Sequence, residues 1–190
     1  NLYKYDFYTN GADLILNDSN DTWIDRDPFI VPGEIGTWTT KGGFSFAIMD
    51  NGEIIWLSEK DGFSHIYRNR PDGRPINQVT RGDWEVNNIS AIDYKNEIIY
   101  FSAKKETETE NHLYSIKFNG SRLKRLTKEK GSHSSSFSPT LKYFINSYSS
   151  LTVPPKTFLR ENNGKIIRNL KETDKSKFDA YNLTYPQLIN

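Results

Sequence analysis

The sequence predicts an all-β fold, a partial β-propeller of about three and a half four-stranded antiparallel blades. The first observation is a repeat. Glu53-Ile54-Ile55-Trp56-Leu57-Ser58 returns 44 residues later as Glu97-Ile98-Ile99-Tyr100-Phe101-Ser102, then more weakly after 45 as Lys142-Tyr143-Phe144-Ile145-Asn146-Ser147. The flanking pairs Ile66-Tyr67, Leu113-Tyr114 and Phe158-Leu159 keep step at 47 and 45 residues, and Val79-Thr80, Leu126-Thr127 and Leu170-Lys171 at 47 and 44. The second observation is turn chemistry. Asn51-Gly52, Asp72-Gly73, Asn119-Gly120 and Asn163-Gly164 each stand between strand-like runs, as expected of hairpins with the positive φ of type I′ turns. Third, helical periodicity is almost absent. Four short strands on a period in the mid-forties describe a propeller blade, whereas solenoid repeats of similar length are helical.

In chain order, residues 1–16 read as the end of an earlier blade, two outer strands joined at Asn10-Gly11. The sequence opens on Asn1 in the middle of such a blade, which suggests that the natural N-terminus is missing. Residues 17–43, rich in Asp, Pro and Gly, form an irregular insertion that carries Trp23 and Trp38. Residues 44–80 make the first full blade, with strands near 44–49, 53–58, 65–70 and 74–80. Blades at 88–127 and 134–170 follow. Their second strands are apolar on both faces, as a sheet sandwiched between neighbours requires. Residues 171–190 are polar, lack the blade landmarks, and read as an exit segment towards a further domain.

Composition bounds the function. Of 190 residues, 35% are hydrophobic and 14% aromatic, enough bulk for a packed core. Twenty-five Lys and Arg against 24 Asp and Glu leave a net charge of +1, which argues against a nucleic-acid or anionic-membrane partner. No apolar run is long enough for a membrane span, and residues 1–10 lack a signal-peptide pattern. The absence of Cys excludes disulfides and thiolate zinc sites. No phosphate loop or EF-hand spacing is present, so no cofactor is implied.

A serine nucleophile needs a strained strand-to-helix elbow, and the nearest text, Gly43-Phe44-Ser45-Phe46-Ala47, lacks the second glycine and lies in a strand. No catalytic residue is therefore assigned in this chain. His65 and His112 hold equivalent positions in successive repeats, which points to structure rather than to metal binding; His133 is read the same way. Glu106, Glu108 and Glu110 read as a solvated loop. The Asn-x-Ser/Thr triplets at Asn17, Asn20, Asn88, Asn119 and Asn182 are expected by chance in so Asn-rich a chain. Trp56 reads as core and Trp84 as packing where one blade crosses to the next. Trp23, Trp38 and Arg26 either line a pocket or cover a blade edge.

The wording of the blades adds to their spacing. The run from Trp56 through Ser58-Glu59-Lys60-Asp61-Gly62 to Tyr67, and then Gln78-Val79-Thr80-Arg81-Gly82-Asp83-Trp84-Glu85-Val86, resembles the propeller of dipeptidyl peptidase IV-like serine peptidases of the prolyl oligopeptidase clan. So do Asn111 to Ile116, Leu123 to Thr127, Ser134 to Pro139 and Tyr148-Ser149-Ser150. The resemblance runs from about Trp38 to Leu170. It implies an eight-bladed propeller capping an α/β-hydrolase domain that holds the catalytic Ser, Asp and His. The parent would release dipeptides with Pro or Ala in second place from peptide N-termini, in the periplasm or secreted. Neither the nucleophile elbow nor the paired glutamates that hold the substrate amine occur in these 190 residues. Trp38, then Trp23 and Arg26, are the candidates for a substrate-pocket rim. The implied partners are a peptide substrate and the hydrolase domain; an unclosed ring also implies self-association. The competing reading is a non-enzymatic propeller that serves as a binding scaffold.

Overall fold

The structure is a computed structural model that describes residues 2–6, 8–17 and 46–174. Every regular element there is a β-strand. β1 (Leu2–Asp6) and β2 (Gly11–Leu16) pair as a hairpin. β3 (Phe46–Ile48), β4 (Ile54–Ser58), β5 (His65–Asn69) and β6 (Pro75–Gln78) form one antiparallel meander. β7 (Val86–Asp93), β8 (Ile98–Ala103), β9 (His112–Lys117) and β10 (Lys124–Arg125) form the next. β11 (Ser132–Phe137), β12 (Tyr143–Ser149), β13 (Lys156–Glu161) and β14 (Ile166–Glu172) form the last. We call these sheets blades B, C and D, and the β1–β2 hairpin blade A. The chain is an all-β stack of antiparallel propeller blades.

The four Gly-containing turns close in a different way from the type I′ turns expected. Only the glycine has positive φ, 80° at Gly52, 83° at Gly73 and Gly120 and 95° at Gly164. The preceding Asn or Asp accepts a hydrogen bond from the amide two residues on: Asn51 from Glu53 (3.0 Å), Asp72 from Arg74 (3.1 Å), Asn119 from Ser121 (3.0 Å) and Asn163 from Lys165 (2.8 Å). Each is a three-residue loop that ends in a left-handed glycine. Asn and Asp are chosen as side-chain acceptors, so they need not adopt positive φ themselves.

Three of these turns also carry the stacking. A Cβ on Gly73 would lie 1.7 Å from the Ile15 carbonyl oxygen, one on Gly120 2.9 Å from that of Val79, and one on Gly164 2.3 Å from that of Leu126. The outer turn of each blade therefore presses against the last strand of the blade before it. At Gly73, Ile15 of the β1–β2 hairpin takes the place that Val79 takes at Gly120 and Leu126 at Gly164.

Register corrects the alignment of the repeats. Ser58 pairs with His65 and Ala103 with His112, so Ala103, not Ser102, is the counterpart of Ser58. The β7–β8 loop has one extra residue, with Glu97 at φ 53°, and the matching words Glu-Ile-Ile-aromatic consequently sit one position apart on the two sheets. A one-residue slip turns a side chain to the other face. Ile55 and Leu57 thus join Ile99, Phe101 and Tyr114 in the core between blades B and C. Trp56, expected to be core, sits on the opposite face beside Phe46, ring centroids 5.6 Å apart, and is half-buried. Trp84 does pack at the blade crossing, edge-on to His65 (5.2 Å) and stacked on Phe101 (6.2 Å). Each fully buried aromatic or aliphatic side chain here contributes about 2–3 kcal/mol. Between C and D a smaller core gathers Tyr100, Leu113, Leu126 and Phe144, with Phe137 against Tyr100.

Candidate functional site: a polar seam between two blades

The two junctions differ in chemistry. Towards blade B, blade C presents Val86, Ile89, Phe101 and Ala103, all buried. Register places His133, Ser135, Asn146 and Tyr148 at the matching points where blade D meets blade C. A hydrocarbon seam has become a polar one.

Its side chains are held by a repeated device. Thr80 Oγ1 accepts the Ile66 amide (2.9 Å) and lies 3.1 Å from His65 Nδ1; Thr127 Oγ1 accepts the Leu113 amide (3.0 Å) and lies 3.2 Å from His112 Nδ1. His65 Nε2 faces the Gly82 carbonyl at 2.9 Å, so Nε2 carries the proton and Thr80 donates to Nδ1. His65 and His112 are thus equivalent structural residues. His112 alone meets charge: its Nε2 lies 3.0 Å from Glu110 Oε2 and 3.0 Å from Arg125 Nη2. Burial pushes its pKa down, the hydrogen bond to Glu110 pulls the other way, and Arg125 adds to the lowering.

His133 belongs to β11 and packs against His112 with ring centroids 4.9 Å apart and the planes tilted by 38°. Both its nitrogens face oxygens, Glu129 O at 2.8 Å and Asn146 Oδ1 at 3.2 Å. A neutral ring supplies one N–H, and an imidazolium would satisfy both. Burial outweighs these bonds and holds the pKa below its usual value, with His112 adding to the lowering. Behind the pair, Arg160, 3% exposed at its side chain, bonds Glu129 Oε1 at 2.7 Å and the Gly164 carbonyl at 3.1 Å. Burial alone would raise the Glu129 pKa, but the hydrogen bond from Arg160 brings it below the ordinary glutamate value.

Two of the three glutamates expected in a solvated loop have structural partners. Glu106 accepts the Tyr114 hydroxyl at 3.1 Å and lies 3.6 Å from Arg125, and Glu110 bonds His112; Glu108 is exposed. Burial, with the charge of Glu106, pushes the Tyr114 phenol well up. Among the described residues no group of His, Asp and Glu is arranged to hold a metal, and no helix is long and apolar enough to cross a membrane. Trp23, Arg26 and Trp38 lie outside the described residues. The polar seam was missed by sequence reasoning. Its signal was Asn146, the single amide in the repeated apolar strand, followed back to the serine run at Ser134 to Ser136.

Inside the seam lies a cleft of about 430 Å³ bounded by Asn88, Ser90, Ser102, Asn111, Leu113, residues 132–135 and 147–149, and Pro155. Ser102 is 8% exposed, and its hydroxyl has no hydrogen-bond partner.

Residues 1–155 match the family described as the dipeptidyl peptidase IV (DPP IV) N-terminal region. The chain is 29% identical over 160 residues to a dipeptidyl peptidase 4 of Trichophyton rubrum, covering 83% of this chain and 19% of that protein. It is 34% identical over 100 residues to a dipeptidyl peptidase 4 of Arthroderma otae, covering 52% of this chain and 13% of the other. The chain thus spans about a fifth of the length of the curated relatives it matches. In structure it is similar to Porphyromonas gingivalis dipeptidyl peptidase 4, with a TM-score of 0.78 at 24% identity over 94% of this chain and 23% of that one. With the match over residues 1–155 and the stacked four-stranded sheets together, the chain belongs to the dipeptidyl peptidase IV N-terminal region family.

Proposed function

We propose that this chain is the non-catalytic propeller portion of a dipeptidyl peptidase IV-like serine exopeptidase, where it restricts access to the active site and helps line it. The observation that carries this reading is the family match on a chain folded as propeller blades. In this reading the nucleophile, its base and the orienting carboxylate lie on a hydrolase domain elsewhere in the parent, which acts in the periplasm or outside the cell. The parent releases X-Pro and X-Ala dipeptides from peptide N-termini. Trp38, with Trp23 and Arg26, stands at the substrate-pocket rim.

The test uses the complete gene product and the 190-residue chain side by side on Ala-Pro and Gly-Pro chromogenic substrates. The complete protein is expected to cleave both, and the isolated chain neither. Trp38→Ala in the complete protein is expected to raise KM with little change in kcat, because a rim residue contributes binding to ground state and transition state alike. A complete reading frame without a nucleophile elbow, or an inert full-length protein, would reject the proposal.

A further inference from the structure

The seam between blades C and D holds a cleft as well as structural bonds. Where blade B fills its junction with Leu57, register places Ser102 in blade C, and Asn146 in blade D stands where blade C has Phe101. Asn146, though 0% exposed, is fully engaged, its amide nitrogen reaching Ser134 O and Ser135 Oγ. Ser102 is not. A buried hydroxyl left unpaired forfeits hydrogen bonding that water would supply, so natural interiors keep few of them. This one borders the 430 Å³ cleft.

The lining selects among ligands. Hydroxyls and amides of Ser90, Ser102, Ser132, Ser134, Asn88 and Asn111 dominate it, no Asp, Glu, Lys or Arg borders it, and the His133 imidazole has both nitrogens engaged by Glu129 O and Asn146 Oδ1, so a charged ligand would find no free counter-ion. A sugar ring would want an open aromatic face. The rings present offer none: Tyr148 is stacked between His133 (5.0 Å) and Phe158 (6.0 Å), and His133 lies between Tyr148 and His112.

Main-chain groups are on offer instead. The His133 amide donates to Asn111 O at 2.8 Å rather than to β12, and the Asn111 side chain donates to His133 O at 2.9 Å. Alternation along β11 turns the amide and carbonyl of Ser135 towards the same edge. An extended segment can pair there by strand addition.

We propose that this cleft binds an uncharged, extended peptide segment through its main-chain amides, with Ser102 Oγ and the β11 edge at Ser135 as the recognising groups. The proposal rests on the propeller reading for its source of peptide, and adds a contact on the inter-blade wall.

The 15N-labelled 190-residue chain, titrated with acetyl-Ala-Ala-Ser-Ala-amide, is expected to show saturable amide shifts confined to Asn88, Ser102, Asn111 and residues 132–135. The fully N-methylated peptide is expected to show none. Ser102→Ala should weaken binding about fivefold, the loss of one hydrogen bond. Ser102→Leu, which installs the side chain that blade B uses, should abolish binding while the fold persists. Shifts elsewhere, equal binding of the N-methylated peptide, or unchanged affinity in Ser102→Leu would overturn the slot. Dipeptide release by the complete gene product would stand in each of those cases, so the two readings fail separately.

Discussion

Arg160 holds its charge in a place that water scarcely reaches, and what keeps it tolerable is Glu129. The guanidinium has one carboxylate at 2.7 Å and one carbonyl at 3.1 Å, and its Nε is unpaired. Removing one member of a buried pair costs more than the pair contributes, since the remaining charge loses its compensation. Glu129→Ala is therefore expected to destabilise the chain by about 3 kcal/mol in urea unfolding. Arg160→Met, which removes the charge and keeps the length, should cost clearly less; equal losses would mean that packing rather than charge sets the cost. Glycine gives a second contrast at this scale. Gly164 and Gly62 share a positive φ, 95° and 98°, but a Cβ on Gly164 would meet the Leu126 carbonyl at 2.3 Å whereas one on Gly62 would meet nothing within 4 Å. Ala at position 62 should cost only the backbone preference, about 1 kcal/mol. Ala at position 164 must also push two blades apart, and should lower Tm by several degrees more.

At the scale of strands and turns, the sequence made most of the fold legible and misplaced two registers, that of β8 and that of β13, where Phe158 faces Asn146 as Tyr114 faces Phe101. The pairs at Asn51-Gly52, Asp72-Gly73, Asn119-Gly120 and Asn163-Gly164 each located a turn, because the left-handed residue that closes it leaves few alternatives to glycine. The face of each second strand was harder to read. Glu53-Ile54-Ile55-Trp56 and Glu97-Ile98-Ile99-Tyr100 match as words, yet the longer β7–β8 loop slides the second by one residue, and with both faces apolar nothing in the pattern betrays the slip. The same ambiguity hid the polar seam, since Asn146 marks a face only once its strand has a register. The histidine pair gives this seam a pH response. His112 and His133 both have pKa values held below about 6.5, the unfolded value, so the unfolded chain binds protons first on acidification. Their contribution to stability is whole above that value and is lost as the pH falls through the lowered ones. Glu129 acts in the same sense at lower pH, below the ordinary glutamate value. Two imidazolium rings 4.9 Å apart would repel by about 3 kcal/mol at an effective dielectric of 20, so the second proton is the more costly. The urea midpoint is expected to fall between pH 7 and pH 5, and His133→Gln to flatten that fall. A midpoint that rose on acidification would contradict the sign.

For the molecule as a whole, stacking sets what the last blade must do. Blade C meets blade D with Ile98 and Tyr100 on the face that points forward along the stack. In blade D the same register positions carry Tyr143 and Ile145, and these are 45% and 47% exposed. Side chains that serve as a junction earlier in this stack stand open here. Among the described residues, β1 and β2 are the strands that precede blade B, and Trp56 and Phe46 lie on the face of blade B turned away from blade C. A forward face that docks on a different surface of a second copy makes a head-to-tail contact, which need not close. The isolated chain is accordingly expected to self-associate, with a weight-average mass that rises with concentration in sedimentation equilibrium. Ile145→Lys, which puts a charge in the middle of the forward face without touching the C–D core, should return it towards a monomer and leave the urea midpoint within about 0.5 kcal/mol. A wild-type chain that stays monomeric at the highest concentrations would show that the forward face needs no cover. An Ile145→Lys chain that associates as before would place the contact on the edge of β14 instead, where Ile166, Ile167 and Leu170 are also exposed.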